Sequence, residues 1–158
     1  NKNTETLVSD NIIEEQIQMK PRILCFHGFR TSGQILKKLV SRWPETVLQK
    51  LDLVFIDGQF PAQGKSDVEG IFDPPYYEWF QANEDFTEYR NFEECLTYVE
   101  DYMLENGPFD GVLGFSQGAF LAAALPGMQE QDHRQKIILN SRIGSDSEHP
   151  KRSMKIIF

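Results

Sequence analysis

Gly114-Phe115-Ser116-Gln117-Gly118 lies between the apolar run Phe109-Asp110-Gly111-Val112-Leu113 and the Ala/Leu-rich run Ala119 to Leu125. The first run, bounded by a Pro-Phe-Asp-Gly turn, reads as a buried parallel strand. The second is rich in strong helix formers and reads as a buried helix. A G-x-S-x-G at a strand-to-helix junction is the pattern of a nucleophile elbow, in which a strained turn lifts the serine hydroxyl above the sheet. Nearly side-chain-free residues on either side of the serine let strand and helix approach closely. The helix N-terminus then sets backbone N–H groups and the positive end of a dipole beside the oxygen anion of an acyl-transfer reaction. Ser116 is therefore the candidate catalytic nucleophile. The competing reading is a tight turn in which Ser116 merely caps the helix.

The rest of the chain alternates strand and helix around that junction. Pro21 to Phe26 reads as a first strand, followed by His27-Gly28-Phe29-Arg30. Thr31-Ser32-Gly33 opens a helix through about Arg42, with Ile35, Leu36, Leu39 and Val40 on one face and Pro44 as the break. Asp52 to Asp57 is a second strand, and Asn91 to Asn106 a helix closed by Gly107-Pro108. Pro126-Gly127 is expected to stop the helix that follows Ser116. Beyond it, Lys136 to Leu139 and Met154 to Phe158 are candidate strands separated by a polar loop. Alternation of this kind predicts an α/β fold with a mostly parallel sheet and helices on both faces, three layers in all. The strand before Ser116 should be central, with the site at the carboxyl ends of the strands.

From Gly58 to about Asn83 the chain carries Pro61, Pro74 and Pro75 with Gly58, Gly64 and Gly70, and no periodicity survives. It reads as a loop of the length that is usually functional or disordered. The block Phe72 to Phe80 is too aromatic for disorder. His27, Tyr76, Tyr77, Trp79 and Phe80 are candidates to line a substrate pocket; packing over the sheet edge is the alternative for the aromatic block. For the anion of acyl transfer, a second N–H donor should come from a loop after a neighbouring strand. The backbone N–H groups of Phe29 and Gln117 are the expected pair. His27 itself reads better as a strand-end histidine bonded to a loop than as a catalytic base.

Other chemistries fit poorly. Gly58 to Ser66 nearly matches a phosphate-cradling G-x-x-x-x-G-K-[ST], but five residues separate the glycines and Pro61 interrupts them. His27, His133 and His149 show no pair at metal-ligand spacing, and two isolated cysteines make no zinc site, so no metal is expected. The 158 residues carry a formal charge of −8, which argues against a nucleic-acid backbone or an anionic membrane as partner. No apolar run is long enough to span a membrane. Cys25 and Cys95 read as reduced packing residues of a reducing compartment, with a disulfide the lesser option. The location expected is cytoplasmic, with the nucleus as a second compartment. The sequence fixes no oligomeric state. Residues 1–19 are polar and acidic, with a short amphipathic helix possible over Leu7 to Ile17, and read as a flexible extension. Residues 20–158 read as one domain.

Lys20 to Gly33, Asp67-Val68-Glu69-Gly70 with the aromatic block, and Gly107 to Gly118 together resemble the FSH family of serine hydrolases, in a plant-like form. The resemblance runs from about Lys20 to about Gln129. It implies a small α/β-hydrolase without cofactor, acting on small-molecule acyl esters through a Ser-Asp-His triad, with Ser116 on the nucleophile position. In that family the acid and the histidine come from later strands. From about Glu130 this chain is expected to leave the pattern and to stop short of both, as a truncated or divergent copy with impaired catalysis. A binding module without catalysis, or a product without function, is the alternative. Asp146 and His149 run in the right chain order for a substitute triad, and His133 lies beside Asp132, but both pairs sit in polar stretches with nothing to anchor them over Ser116.

Overall fold

A computed structural model describes residues 20–129 and 155–157. The N-terminal extension, the candidate strand at Lys136 to Leu139, and Asp132, His133, Asp146 and His149 all lie outside the described residues. Within them the predicted alternation is present. Strand β1 (Arg22–Phe26) leads through Ser32, whose hydroxyl accepts from the Ile35 N–H at 3.2 Å, into helix α1 (Gly33–Val40). A short helix α2 (Glu45–Leu48), not foreseen from the sequence, follows Pro44 and precedes strand β2 (Asp52–Ile56). Helix α3 (Phe92–Asn106), strand β7 (Gly111–Gly114), helix α4 (Gln117–Gln129) and strand β8 (Lys155–Ile157) complete the main frame.

The sheet order is β2-β1-β7-β8, and every pairing is parallel. The strand before Ser116 therefore has a neighbour on each side. Because side chains alternate across a strand, β1 feeds two cores. Leu24 and Phe26 pack on one face with Val112, Leu121, Leu125 and the Cys95, Leu96, Val99 and Met103 stripe of α3. Ile23 and Cys25 pack on the other with Leu113 and with Leu36 and Val40 of α1. Helices thus cover both faces, giving the three-layer α/β arrangement expected. Cys25 and Cys95 are free and lie in these two separate cores, so no bridge joins them. Burial pushes both thiols up to about 12.

Two expectations need correction. Helix α4 does not stop at Pro126 but runs to Gln129. A proline costs a helix one i to i−4 bond, and here the helix ends within a turn of that loss. The stretch from Gly58 onward is also not a plain loop. It holds β3 (Phe60–Pro61) paired antiparallel with β4 (Tyr77–Glu78), and β5 (Gln81–Ala82) paired with β6 (Tyr89–Arg90). Trp79 and Phe80 within it are buried core residues. Pairs of two residues have no periodicity to read, and long-range contacts hold them in place.

Candidate active site

Parallel strands bring their carboxyl ends to one edge of the sheet, so the segments after β1, β2 and β7 meet there. Ser116 sits between β7 and α4 with φ of 56°, a left-handed conformation uncommon for a residue with a side chain. The glycines beside it are a steric requirement. A Cβ on Gly114 would run into the Gly118 carbonyl, and one on Gly118 into the carbonyls of Phe26 and His27. The helix is thus seated directly on the end of β1. Ser116 is exposed, and its hydroxyl has no hydrogen-bond partner among the described residues.

A helix leaves its first amides without intrahelical acceptors. Here the N–H of Gly118 donates to the Phe115 carbonyl at 2.9 Å, and those of Ala119 and Phe120 donate to the Ser116 carbonyl at 2.9 and 3.1 Å. The Gln117 N–H has no acceptor among the described residues, and neither has that of Phe29. The turn carrying Phe29 adjoins the serine: a Cβ on Gly28 would lie 3.4 Å from the Ser116 Cβ and 3.1 Å from the Phe115 ring. Both expected anion donors are therefore on the segments that flank Ser116, and both are uncommitted.

His27 is fully buried and occupied at both ring nitrogens. Its Nε2 accepts from the Gly58 N–H at 2.8 Å, which leaves the proton on Nδ1 to donate to the Gly28 carbonyl at 2.8 Å. Burial pushes its pKa below the ordinary 6.5, against the opposing pull of the Gly28 carbonyl and the Asp57 carboxylate. It stacks on Trp79 with ring centroids 4.8 Å apart, and the Trp79 indole N–H donates to the His27 carbonyl at 2.9 Å. His27 and Trp79 are each 0% exposed, so they pack beneath the surface and offer no face to a pocket. Phe80 is buried too, but it packs against the half-exposed rings of Tyr89 and Phe120. Tyr76 and Tyr77 are half-buried; the Tyr76 hydroxyl donates to the Phe72 carbonyl at 2.5 Å, and the Tyr77 ring lies 6.4 Å from His27.

Three features were not legible beforehand. The Gln117 side chain accepts from the Trp79 N–H at 2.9 Å and donates to the Phe80 carbonyl at 2.8 Å, fastening the aromatic segment to the serine turn. Arg30 pairs with the buried Glu78 across 48 residues of sequence. Phe29, Phe115 and Phe120, on the segments that flank Ser116 in the chain and in space, are 41%, 58% and 47% exposed. No local pattern marks the first two, since each depends on a partner distant in sequence. The phosphate-loop alternative fails here. At Gly64 the neighbour is the Arg30 guanidinium, and the Lys65 carbonyl accepts from it at 3.1 Å; a phosphate cradle would present amides to an anion instead. Among the described residues there is no cluster of potential metal ligands, and no helix is long and apolar enough to cross a membrane.

Residues 17–158 match the family described as Serine hydrolase (FSH1), a stretch that runs past Gln129, where the resemblance was expected to end. The chain is 34% identical over 111 residues to "Esterase FUS5" of Gibberella moniliformis, covering 67% of this chain and 48% of that one. It is 32% identical over 129 residues to "Esterase OVCA2" of Danio rerio, covering 70% and 57%. It is also 36% identical over 140 residues to "Rhodanese-like domain-containing protein 6" of Arabidopsis thaliana, covering 74% of this chain and 24% of that protein. The chain spans about half the length of these esterase relatives.

Proposed function

The chain belongs to the serine hydrolase (FSH1) family, and from that premise we propose that it acts on acyl esters with Ser116 as the nucleophile of a G-x-S-x-G elbow. The observation that carries this reading is the left-handed Ser116, exposed between β7 and α4, with the Gln117 N–H beside it unmatched by any acceptor among the described residues. The serine oxygen attacks the acyl carbonyl carbon, and the carbonyl electron pair moves onto its oxygen. The N–H groups of Gln117 and Phe29 stabilise that oxyanion, whose collapse expels the alcohol and leaves an acyl-serine for water to cleave. The exposed rings of Phe29, Phe115 and Phe120 favour an apolar acyl group.

A proton must leave the Ser116 hydroxyl and reach the departing alcohol, and in the second half another must leave the water and return to Ser116; a positioned imidazole carries these four transfers. His27 is the one histidine among the described residues, and its ring is fully committed. A serine without a base is a weak nucleophile, so the site as described holds the nucleophile and anion donors without a positioned base. His133 and His149 stand beside Asp132 and near Asp146 in polar stretches that nothing in the sequence anchors over Ser116, and on that ground we propose slow catalysis by this chain. That the Ser116 hydroxyl has no partner among the described residues also favours a second reading, a module that binds acyl compounds without turnover. The two buried free thiols fit a reducing compartment, the cytoplasm or the nucleus.

A fluorophosphonate probe tests the proposal. Slow covalent labelling, absent in Ser116→Ala, is the expected result. Labelling that persists in Ser116→Ala overturns the nucleophile assignment. Binding of an acyl ester without any labelling selects the binding module.

A further inference from the structure

The turn that carries Phe29 is held by a polar cluster that takes no part in the acyl chemistry. Arg30, the next residue, has φ of 53°, again left-handed and uncommon for a long side chain. Its Nε donates to Glu78 Oε2 at 2.9 Å, its Nη1 donates to the Lys65 carbonyl at 3.1 Å, and its guanidinium lies 4.6 Å from the centre of the Phe29 ring. Glu78 is 1% exposed. Its Oε2 also accepts from the Gln63 N–H at 2.8 Å, and its Oε1 accepts from the Gln81 side-chain amide at 3.2 Å. The buried Ser66 hydroxyl donates to the Arg30 carbonyl at 2.6 Å, and the Tyr77 N–H to the Thr31 carbonyl at 2.7 Å. The Phe29–Thr31 turn is thus gripped at the Arg30 side chain, at the Arg30 carbonyl and at the Thr31 carbonyl.

A carboxylate this deep is costly unless paired, and an apolar pair of similar volume often serves stability as well or better. What a planar guanidinium on a carboxylate adds is direction, since its donors leave in a fixed fork. The object so fixed adjoins Ser116, because a Cβ on Gly28 would lie 3.4 Å from the Ser116 Cβ. We propose that the Arg30–Glu78 pair is a positioning device for the oxyanion site, holding the turn so that the Phe29 N–H faces the space above Ser116. It rests on the hydrolase reading. Arg30 is a positioning residue and not a catalytic one, because its Nε and Nη1 are spent on Glu78 and Lys65. The cluster also gives the Gly64-Lys65-Ser66 segment a role: it is the bed on which the arginine lies.

The test compares the unaltered full chain with Glu78→Gln, which keeps the shape and removes the charge, and with Arg30→Lys, which keeps the charge and removes the fork. Two readouts are taken: hydrogen exchange of the Thr31 and Tyr77 amides, and fluorophosphonate labelling resolved into its maximal rate and its half-saturating probe concentration. The expected result is faster exchange at Thr31 and Tyr77 with β1 and β7 still protected. The maximal labelling rate should fall roughly 10- to 100-fold, as for a misplacement near 1 Å, while half-saturation barely changes. Arg30→Lys should move the same way by less, and it decides the matter if Glu78→Gln fails to fold. A loosened turn with an unchanged maximal rate overturns the proposal, as does unchanged exchange. Labelling insensitive to Ser116→Ala sinks the hydrolase reading instead, and the exchange comparison still decides whether the pair holds the turn.

Discussion

At the Ser116 turn a Cβ on Gly114 or Gly118 would collide with backbone carbonyls, so this turn exists because two side chains are absent. Across the site, the stretch from Gly58 to Arg90 keeps its place through side chains that are present and reach backbone. Glu78 takes the Gln63 N–H, His27 takes the Gly58 N–H, Ser66 reaches the Arg30 carbonyl, and Gln117 grips both Trp79 and Phe80. One region is defined by exclusion, the other by polar reach. Exclusion leaves a local signature, two glycines at fixed spacing. Polar reach leaves none, since its partners lie 15 to 38 residues apart.

The contrast can be broken most severely at the turn. Gly118→Val puts a branched side chain where the Phe26 and His27 carbonyls already are, and neither the strand nor the helix can give way. The cooperative melting transition should be lost, a cost beyond about 4 kcal/mol that few single substitutions reach. A variant that melts like the unaltered chain would mean that the strand and helix are not pressed together as described.

Gln117→Leu strikes the point where the two regions join. It removes two hydrogen bonds and leaves the Trp79 N–H and the Phe80 carbonyl unpaired beside a buried core. Chemical denaturation should show a loss of about 2 kcal/mol, the penalty for stranding such groups. Faster exchange should be confined to the 77–82 segment. A loss spread evenly over β1 and β7 would show that the excursion is no separate unit.

The smallest effect is a pH dependence. Burial holds the His27 pKa below 6.5 in the folded chain, so the folded form stays neutral while the unfolded form takes up a proton as pH falls through 6.5. Stability from this group is therefore complete above pH 6.5 and is lost as pH falls toward the folded pKa, by at most about 1.4 kcal/mol per pH unit. Melting curves of the unaltered chain and of His27→Gln, run downward from neutral pH, should show that part of the slope vanish in the variant. Equal slopes would mean that His27 is protonated in the fold.

The frame was legible in the order of residues. Runs such as Ile23-Leu24-Cys25-Phe26 and Asp52 to Ile56, set between helical patterns, specify parallel strands because hydrophobic period and turn residues are local properties. Gly114 and Gly118 located the serine turn for the same reason. The rest depended on long-range contacts. In sequence Trp79 reads equally as pocket lining or as packing over the sheet edge, and its burial on His27 selects packing, because burial depends on what covers a residue. Gly64-Lys65-Ser66 resembles a phosphate loop but lies against the Arg30 guanidinium, and no local spacing encodes that partner. Pro126 reads as a stop, yet α4 continues past it, since contacts around a helix can outweigh one missing hydrogen bond. Composition and period report what each segment prefers, whereas partners far apart in sequence are chosen only when the sheet closes and brings them within reach.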